Sequence, residues 1–431
     1  MEVRLDAPRA LQWHVHSPTL ARFVADLMVT EVAALRPGGA ELPTTPWAID
    51  MPIGFTGLGL DSLERMAVAA ALSEALHLHE SGQEDLLLVK RQFGEWLEVI
   101  AEGLLGFDAR VTFRTSGSNG APKVCVHSLA SLEQETDVVC KMVRGVRRVL
   151  SAVPAHHIYG FLFTVLAPSR LNVRDVLDIR RLTPQALGKV LRPGDLVVSH
   201  PAHWDLVARH TSMPLEGVQG MSSTAPCSVE LARALEHRGL AQLLQIYGTS
   251  ETGGVGWRTS ANAPYALMEF WSRSAVGDGG LRRALPDGSC TEHLLQDNLE
   301  WLKNGQFVVG PRLDEAVQVG GINVFPARVR EVLRTHPQVV DAAVRLMSPN
   351  EGARLKTYIV LRSGTNLQTF REQLDSWLIT RMSAAEVPKS VTLGDTLPRN
   401  DQGKLCDWPG ITSVAIQSPP PPAPPIESHL R

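Results

Sequence analysis

The stretch that most constrains this chain is Thr115-Ser116-Gly117-Ser118-Asn119-Gly120-Ala121-Pro122-Lys123, which follows Arg110-Val111-Thr112-Phe113. The β-branched and aromatic run before it predicts a buried strand. Two glycines and three hydroxyl side chains then fall within six residues, and a lysine closes the loop. Glycine admits turn conformations that a side chain blocks, so backbone amides can converge on an anion. The hydroxyls add donors and Lys123 adds a point charge, a combination suited to a triphosphate. The spacing is not that of a Walker A loop. On its own, such a loop is as readily a solvated turn.

Three further stretches decide between those readings. They are Tyr247-Gly248-Thr249-Ser250-Glu251, then Arg312-Leu313-Asp314 leading into Gly320-Gly321, then Leu397-Pro398-Arg399-Asn400-Asp401-Gln402-Gly403-Lys404. With the loop, and in this order, they resemble the adenylate-forming superfamily of acyl- and aryl-CoA ligases, carrier adenylation domains and luciferases. The resemblance runs from about Val111 to Asp407. It implies an α/β fold: a truncated adenylate-forming large domain over 106–312 and a mobile small α/β domain over 313–410, while the proline run beyond it reads as a disordered tail over 411–431.

Composition leaves room for this. The 431 residues suffice for two or three domains. A net charge of -3 gives no general pull toward nucleic acid or an anionic membrane. The basic residues Arg144, Arg147 and Arg148 read as a solvated helix face. The five cysteines are far apart and odd in number, without metal-ligand spacing or a disulfide pattern. No early apolar run has signal or membrane-spanning length, so a cytoplasmic protein with reduced thiols is expected.

Residues 1–105 are the unusual part. Leu20, Phe23, Val24 and Leu27 recur with helical spacing. Gly59-Leu60-Asp61-Ser62-Leu63-Glu64 opens a second helix with Leu63, Met66 and Ala70 as its apolar positions. A third run places Val89, Phe93, Trp96, Leu97 and Ile100 on one face. This unit resembles an acyl carrier domain, which implies Ser62 as a phosphopantetheine attachment site. The alternatives stay open: Asp61 with Glu64 is also a helix cap, and the segment also reads as a shortened front of the large domain.

Beyond the loop, Leu129–Val149 is expected to be helical. Pro154-Ala155-His156-His157-Ile158-Tyr159-Gly160 is similar to the family stretch whose histidine lies between acyl pocket and nucleotide, which implies His157 as a catalytic and acyl-pocket residue. Strand and helix signals then alternate, as in a parallel α/β sheet. The resemblance implies further roles. Thr115, Ser116, Gly117, Ser118, Asn119, Gly120 and Lys123 hold phosphates. Thr224, Ala225, Tyr247, Gly248, Ser250, Asp297 and Arg312 complete the nucleotide site. Tyr159, Gly253 and Gly254 join His157 at the acyl pocket, and Glu251 binds Mg²⁺. Asp314 is the hinge, Gly320 and Gly321 line a pantetheine tunnel, and Lys404 bridges the carboxylate and the α-phosphate.

The chemistry so implied is attack of a carboxylate on ATP, an anion on an anion, so fixed cations and amides are the main lever. Asn119 stands where the family has threonine, Ser250 replaces a threonine, and Pro311 precedes Arg312 where glycine is usual. None of these removes a charged catalytic group. The expected activity is an AMP-forming acid–thiol ligase using ATP, Mg²⁺ and phosphopantetheine or CoA. Its substrate is a carboxylic acid, aryl by preference, as in pigment-priming ligases; its acceptor is an acyl carrier protein or CoA, with no nucleic-acid or membrane partner. A fatty acid ligase and a non-catalytic nucleotide-binding interaction protein are the alternatives.

Overall fold

The structure is a computed structural model that describes residues 13–15, 17–36, 39–115, 123–174, 176–210, 214–274, 280–348, 351–399 and 405–408. Three helices come first: α1 (Ser17–Leu35), α2 (Ser62–Leu76) and α3 (Phe93–Gly106). The hairpin β1 (Arg110–Thr115) and β2 (Lys123–Ser128) follows, with Thr115 opposite Lys123. Ser116–Pro122, the centre of the phosphate-loop reading, lies outside the described residues.

Next come α4 (Leu129–Cys140) and a sheet of seven strands. In chain order these are β3 (Arg148–Ser151), β4 (Val176–Asp178), β5 (Asp195–Ser199), β6 (Gln219–Ser222), β7 (Gln242–Thr249), β8 (Gly253–Arg258) and β9 (Ala266–Leu267). Their spatial order is β4-β3-β5-β6-β7-β8-β9, parallel through β7 and antiparallel beyond. Helices α5 (Pro201–His210) and α6 (Val229–His237) fill the crossovers. Every residue of β5 is buried, as expected for a parallel strand covered on both faces. The expected α/β alternation is therefore present.

A three-stranded sheet, β10 (Trp271–Arg273), β11 (Gly280–Ala284) and β12 (Cys290–Leu294), precedes the hairpin β13 (Asp297–Trp301) and β14 (Phe307–Arg312). The small C-terminal unit begins with the hairpin β15 (Val317–Val319) and β16 (Ile322–Val324). It continues through α7 (Pro326–Arg334), β17 (Val339–Leu346), β18 (Leu355–Leu361), α8 (Leu367–Ile379) and β19 (Ser390–Gly394), around a core of its own. Turn residues Gly320 and Gly321 both have positive φ, 59° and 85°, as a two-residue type I′ hairpin requires.

Among the described residues the N-terminal helices have no separate core. One contiguous apolar cluster runs from Trp13 through α1, α2, α3, β1 and α4 to Phe307. Phe161, in a π-helical turn Phe161–Leu166, touches Phe23 of α1 and Phe113 of β1 at ring separations of 5.7 and 5.6 Å. Asp26 of α1 accepts the Ala155 amide at 2.7 Å and pairs with Arg180 at 2.5 Å. Of the two readings of residues 1–105, this shared core supports a shortened front of the large domain.

Four sequence expectations are corrected. In α2 the apolar face is Val68, Ala69, Leu72, Ala75 and Leu76, while Leu63, Met66 and Ala70 point to solvent. Small alanines let α2 pack closely, and they carry less periodic signal than Leu63 and Met66. Val89 likewise is exposed, although Phe93, Trp96, Leu97 and Ile100 are buried as expected. The helix from Leu129 ends at Cys140, because Gly145 turns the chain at φ 64° and β3 starts at Arg148. Arg148 is thus not on a solvated helix face; it grips Asp195 with two hydrogen bonds, 2.8 and 2.7 Å.

Candidate active site

The carboxyl ends of β6 and β7 open onto a cavity of about 340 Å³, where α/β sheets commonly place ligands. Its walls come from several parts of the chain. Thr115 and Lys123 arrive from the β1–β2 hairpin, and Ser223 and Thr224 follow β6. Gly248, Thr249, Ser250, Glu251, Gly253 and Gly254 come from β7, β8 and their turn; Arg312, Asp314, Gln318, Gly321, Asn323 and Phe325 come from the C-terminal side. The two end residues of the loop, the Tyr-Gly-Thr-Ser-Glu stretch and the Arg-Leu-Asp stretch, distant in sequence, therefore meet.

At the polar end Lys123 Nζ donates to Glu251 Oε1 at 2.6 Å. Burial works against the Glu251 charge, but the bonds from Lys123 and a backbone amide outweigh it and hold the carboxyl below its usual range. An ionised carboxylate here is a hard oxygen donor suited to Mg²⁺. His127 Nε2 lies 2.7 Å from the Ser250 carbonyl, which fixes the turn behind Glu251. Thr249 and Thr252 brace the same turn, their hydroxyls 3.0 Å apart.

Tyr247 and Asp297 form a second group. The Tyr247 hydroxyl donates to Asp297 Oδ2 at 2.9 Å, and Arg312 Nη1 lies 3.7 Å from Asp297 Oδ1. Arg312 binds Asp314 through two hydrogen bonds, 2.7 and 2.6 Å, so the arginine expected at the nucleotide site is tied to the expected hinge. Glu315, next to that hinge, takes a left-handed φ of 56°, a strained conformation for a non-glycine residue.

Thr224 also has a left-handed φ, 73°, and its buried hydroxyl has no partner among the described residues. A strained turn presenting an unpaired hydroxyl to a cavity fits a nucleotide contact. The Gly320-Gly321 turn comes down onto it: a Cβ on Gly321 would stand 2.5 Å from Thr224 Oγ1. Only glycine allows that approach.

The apolar end is walled by Ile158, Tyr159, Leu162, Phe163, Gly253 and Gly254. Tyr159 is buried with its hydroxyl donated to the Ser199 carbonyl at 3.1 Å, so its ring serves as wall. Gly254 is held on both sides: its amide donates to Glu135 Oε1 at 2.8 Å and its carbonyl accepts from Trp271 Nε1 at 2.7 Å.

Not every expected residue is here. His157 lines a smaller cavity of about 80 Å³ with Leu27, Thr30, Thr112 and His156, its ring 4.5 Å from that of His156. Ser62 is exposed at the first turn of α2, where Asp61 accepts the Glu64 amide at 2.8 Å and Glu64 returns the bond at 2.9 Å. Asn400–Lys404 lies outside the described residues, but its flanks dock on the small unit: Arg399 pairs with Leu405, whose carbonyl accepts from Arg345 at 2.7 Å.

Glu135 was missed by the sequence reading. It falls on the buried face of α4, in register with Leu132, Thr136 and Val139, and a carboxylate at that phase was the available signal.

Comparison with known proteins places this architecture. Residues 105–278 match the family model for AMP-binding enzymes, and residues 329–404 match that for the AMP-binding enzyme C-terminal domain. A 4-coumarate–CoA ligase of Cereibacter sphaeroides is 38% identical over 387 residues, covering 86% of this chain and 89% of that protein. A 4-coumarate–CoA ligase of Halorhodospira halophila is 35% identical, covering 80% and 87%. Among solved structures, the amide bond synthetase of Marinactinospora thermotolerans shares the fold with a TM-score of 0.61 at 17% identity, covering 90% of this chain and 92% of that one. The chain belongs to the AMP-binding enzymes, the adenylate-forming superfamily. It is an AMP-forming acid–thiol ligase.

Proposed function

We propose that this ligase activates an aryl carboxylic acid as its acyl-adenylate, with ATP and Mg²⁺, and passes the acyl group to the thiol of CoA. The observation that carries the reading is the single cavity, charged at Lys123, Glu251 and Arg312 and apolar at Tyr159, Phe163 and the Gly253-Gly254 backbone. A wall of Tyr159, Phe163 and side-chain-free glycine backbone suits a flat ring better than a flexible alkyl chain. The 4-coumarate–CoA ligases among its relatives support the same substrate class.

The roles divide along the cavity. The phosphate loop and Lys123 hold phosphates, Glu251 holds Mg²⁺, and Asp297 and Tyr247 meet the ribose and base. Lys404 is the cation for the first half-reaction. Asp314 is the pivot that exchanges Lys404 for the Gly320-Gly321 turn, which admits the pantetheine arm. The turn's approach to Thr224 supports a second-step pose for the geometry described above. Residues 1–105 serve as the shortened front of the large domain, since they share its core.

The test is pyrophosphate release with ATP, Mg²⁺ and a panel of benzoic, cinnamic and fatty acids, followed by thioester detection with CoA. Aryl acids are expected to be turned over far better than fatty acids. A preference for medium or long alkyl chains refutes the aryl assignment.

A further inference from the structure

The acyl cavity contains one carboxylate that the reaction does not use. We propose that Glu135 is a specificity residue: an acceptor at the apolar end of the cavity that selects aryl acids bearing a hydroxyl donor on the ring, away from the reacting carboxylate. This rests on the aryl-ligase reading and deepens it.

The geometry carries the argument. Glu135 is fully buried in α4 yet lines the cavity, beside Gly253 and Gly254 and inward of the turn that carries Glu251. Its Oε1 is fixed by the Gly254 amide at 2.8 Å. Its Oε2 has no hydrogen-bond partner among the described residues. A Cβ on Gly253 would come within 2.5 Å of that oxygen, so only a glycine packs beside it without displacing it. Arg283 does not satisfy it either. Its guanidinium donates to the Thr252 carbonyl at 2.8 Å and the Ser131 carbonyl at 2.6 Å, balancing charge nearby without consuming the acceptor.

A buried, uncompensated carboxylate oxygen is costly, and proteins keep few of them. Burial pushes this carboxyl up to about 7, against the opposing influence of Arg283 and the Gly254 amide. A phenolic hydroxyl entering the cavity would supply the missing donor. A ring without one would leave the oxygen unpaired and lose the difference. Sites built around a substrate hydroxyl discriminate strongly against analogues that lack it.

The experiment compares ring-matched acids carrying hydrogen, hydroxyl or methoxyl at the distal ring position, using kcat/KM from pyrophosphate release. The native enzyme is expected to prefer the hydroxyl by roughly 10²-fold or more. In Glu135→Gln the amide oxygen takes the Gly254 bond and turns an NH₂ donor toward the cavity. The hydroxyl-to-methoxyl ratio should then fall by on the order of 10²-fold, since methoxyl only accepts. Equal turnover of the three acids by the native enzyme overturns the proposal without any variant. An unchanged ratio in Glu135→Gln overturns it as well. If no aryl acid releases pyrophosphate while fatty acids do, the aryl reading itself has failed and this inference falls with it.

Discussion

Lys123 Nζ donates to Glu251 Oε1 at 2.6 Å, joining the first residue of β2 to the turn between β7 and β8 across 128 positions of sequence. The pair keeps a cation and an anion poised at the polar end of the cavity. Glu251→Gln keeps the shape but removes the charge that would hold Mg²⁺. Adenylate formation should fall by ~10²-fold or more, because a charge aimed at the transition state is lost. The check is pyrophosphate release across a Mg²⁺ titration; activity within twofold of native at every concentration would remove Glu251 from the metal site.

Gly254 faces a tighter constraint. A Cβ there would stand 2.5 Å from Glu135 Oε1 and 2.9 Å from Met268 Cε. Gly254→Leu should depress aryl-acid turnover while leaving ATP binding nearly intact, because the added side chain displaces Glu135 and Met268 at the apolar end and leaves the polar end untouched. Overpacking should also cost about 1–3 kcal/mol of stability. Denaturant melts and nucleotide binding separate the two effects. Unaltered benzoate turnover would move the acyl pocket elsewhere.

Glu135 also sets a pH dependence of stability. Its carboxyl is raised to about 7 in the fold, above its ordinary value, so between those two pH values the folded state keeps a proton that the unfolded state releases. Stability from this group is therefore greatest at low pH and is lost as pH rises toward 7, at up to ~1.4 kcal/mol per pH unit. Glu135→Gln removes the dependence. The difference in unfolding free energy between variant and native protein should grow in the variant's favour from pH 5 to pH 8. A difference flat with pH would mean that the carboxyl titrates normally.

Much of this was legible in sequence because it is local. The four motifs quote backbone and charge requirements that hold in any context, and the strand begun by Arg110-Val111-Thr112-Phe113 announces itself by its β-branched and aromatic run. What was not legible depends on packing. The α2 face is inverted relative to Leu63 and Met66 because close-packed alanines bury well with little hydrophobic signal. Arg148 looked like a surface charge until Asp195 of the neighbouring strand supplied its partner. Glu135 lies 119 residues from the amide that holds it, and no periodicity announces such a pairing.

Ser62 supplies a prediction against the carrier resemblance. It sits in the first turn of a helix whose Asp61–Glu64 capping box is held by Arg36, which also donates to the Gly59 carbonyl at 2.7 Å. That arrangement explains Asp-Ser-Leu-Glu as a capped helix start. Incubation with a broad-specificity phosphopantetheinyl transferase and CoA should add no mass to the intact chain. Asp61→Ala should destabilise the fold by about 1 kcal/mol through loss of the cap. A single added pantetheine arm, lost in Ser62→Ala, would restore the carrier reading.

Lys404 gives the sharpest test of the two-step scheme. The residues beside it are fastened to the small unit: Leu405 to Arg345, and Asp407 and the Trp408 carbonyl to the buried Lys356, which donates to that carbonyl at 2.6 Å. The described small-unit residues that line the cavity belong instead to the β15–β16 hairpin and Phe325. The flanks of the lysine-bearing segment and the glycine turn thus belong to one unit, and the cavity here meets the turn. If Asp314 is the pivot, the two present themselves alternately, and each serves one half-reaction. Lys404→Ala should then lower adenylate formation by ~10²-fold or more. Thioester formation from pre-made acyl-adenylate and CoA should stay within a few-fold of native. Rapid-quench measurement of the two half-reactions separates them, and an equal loss in both would show that Lys404 is not confined to the first pose.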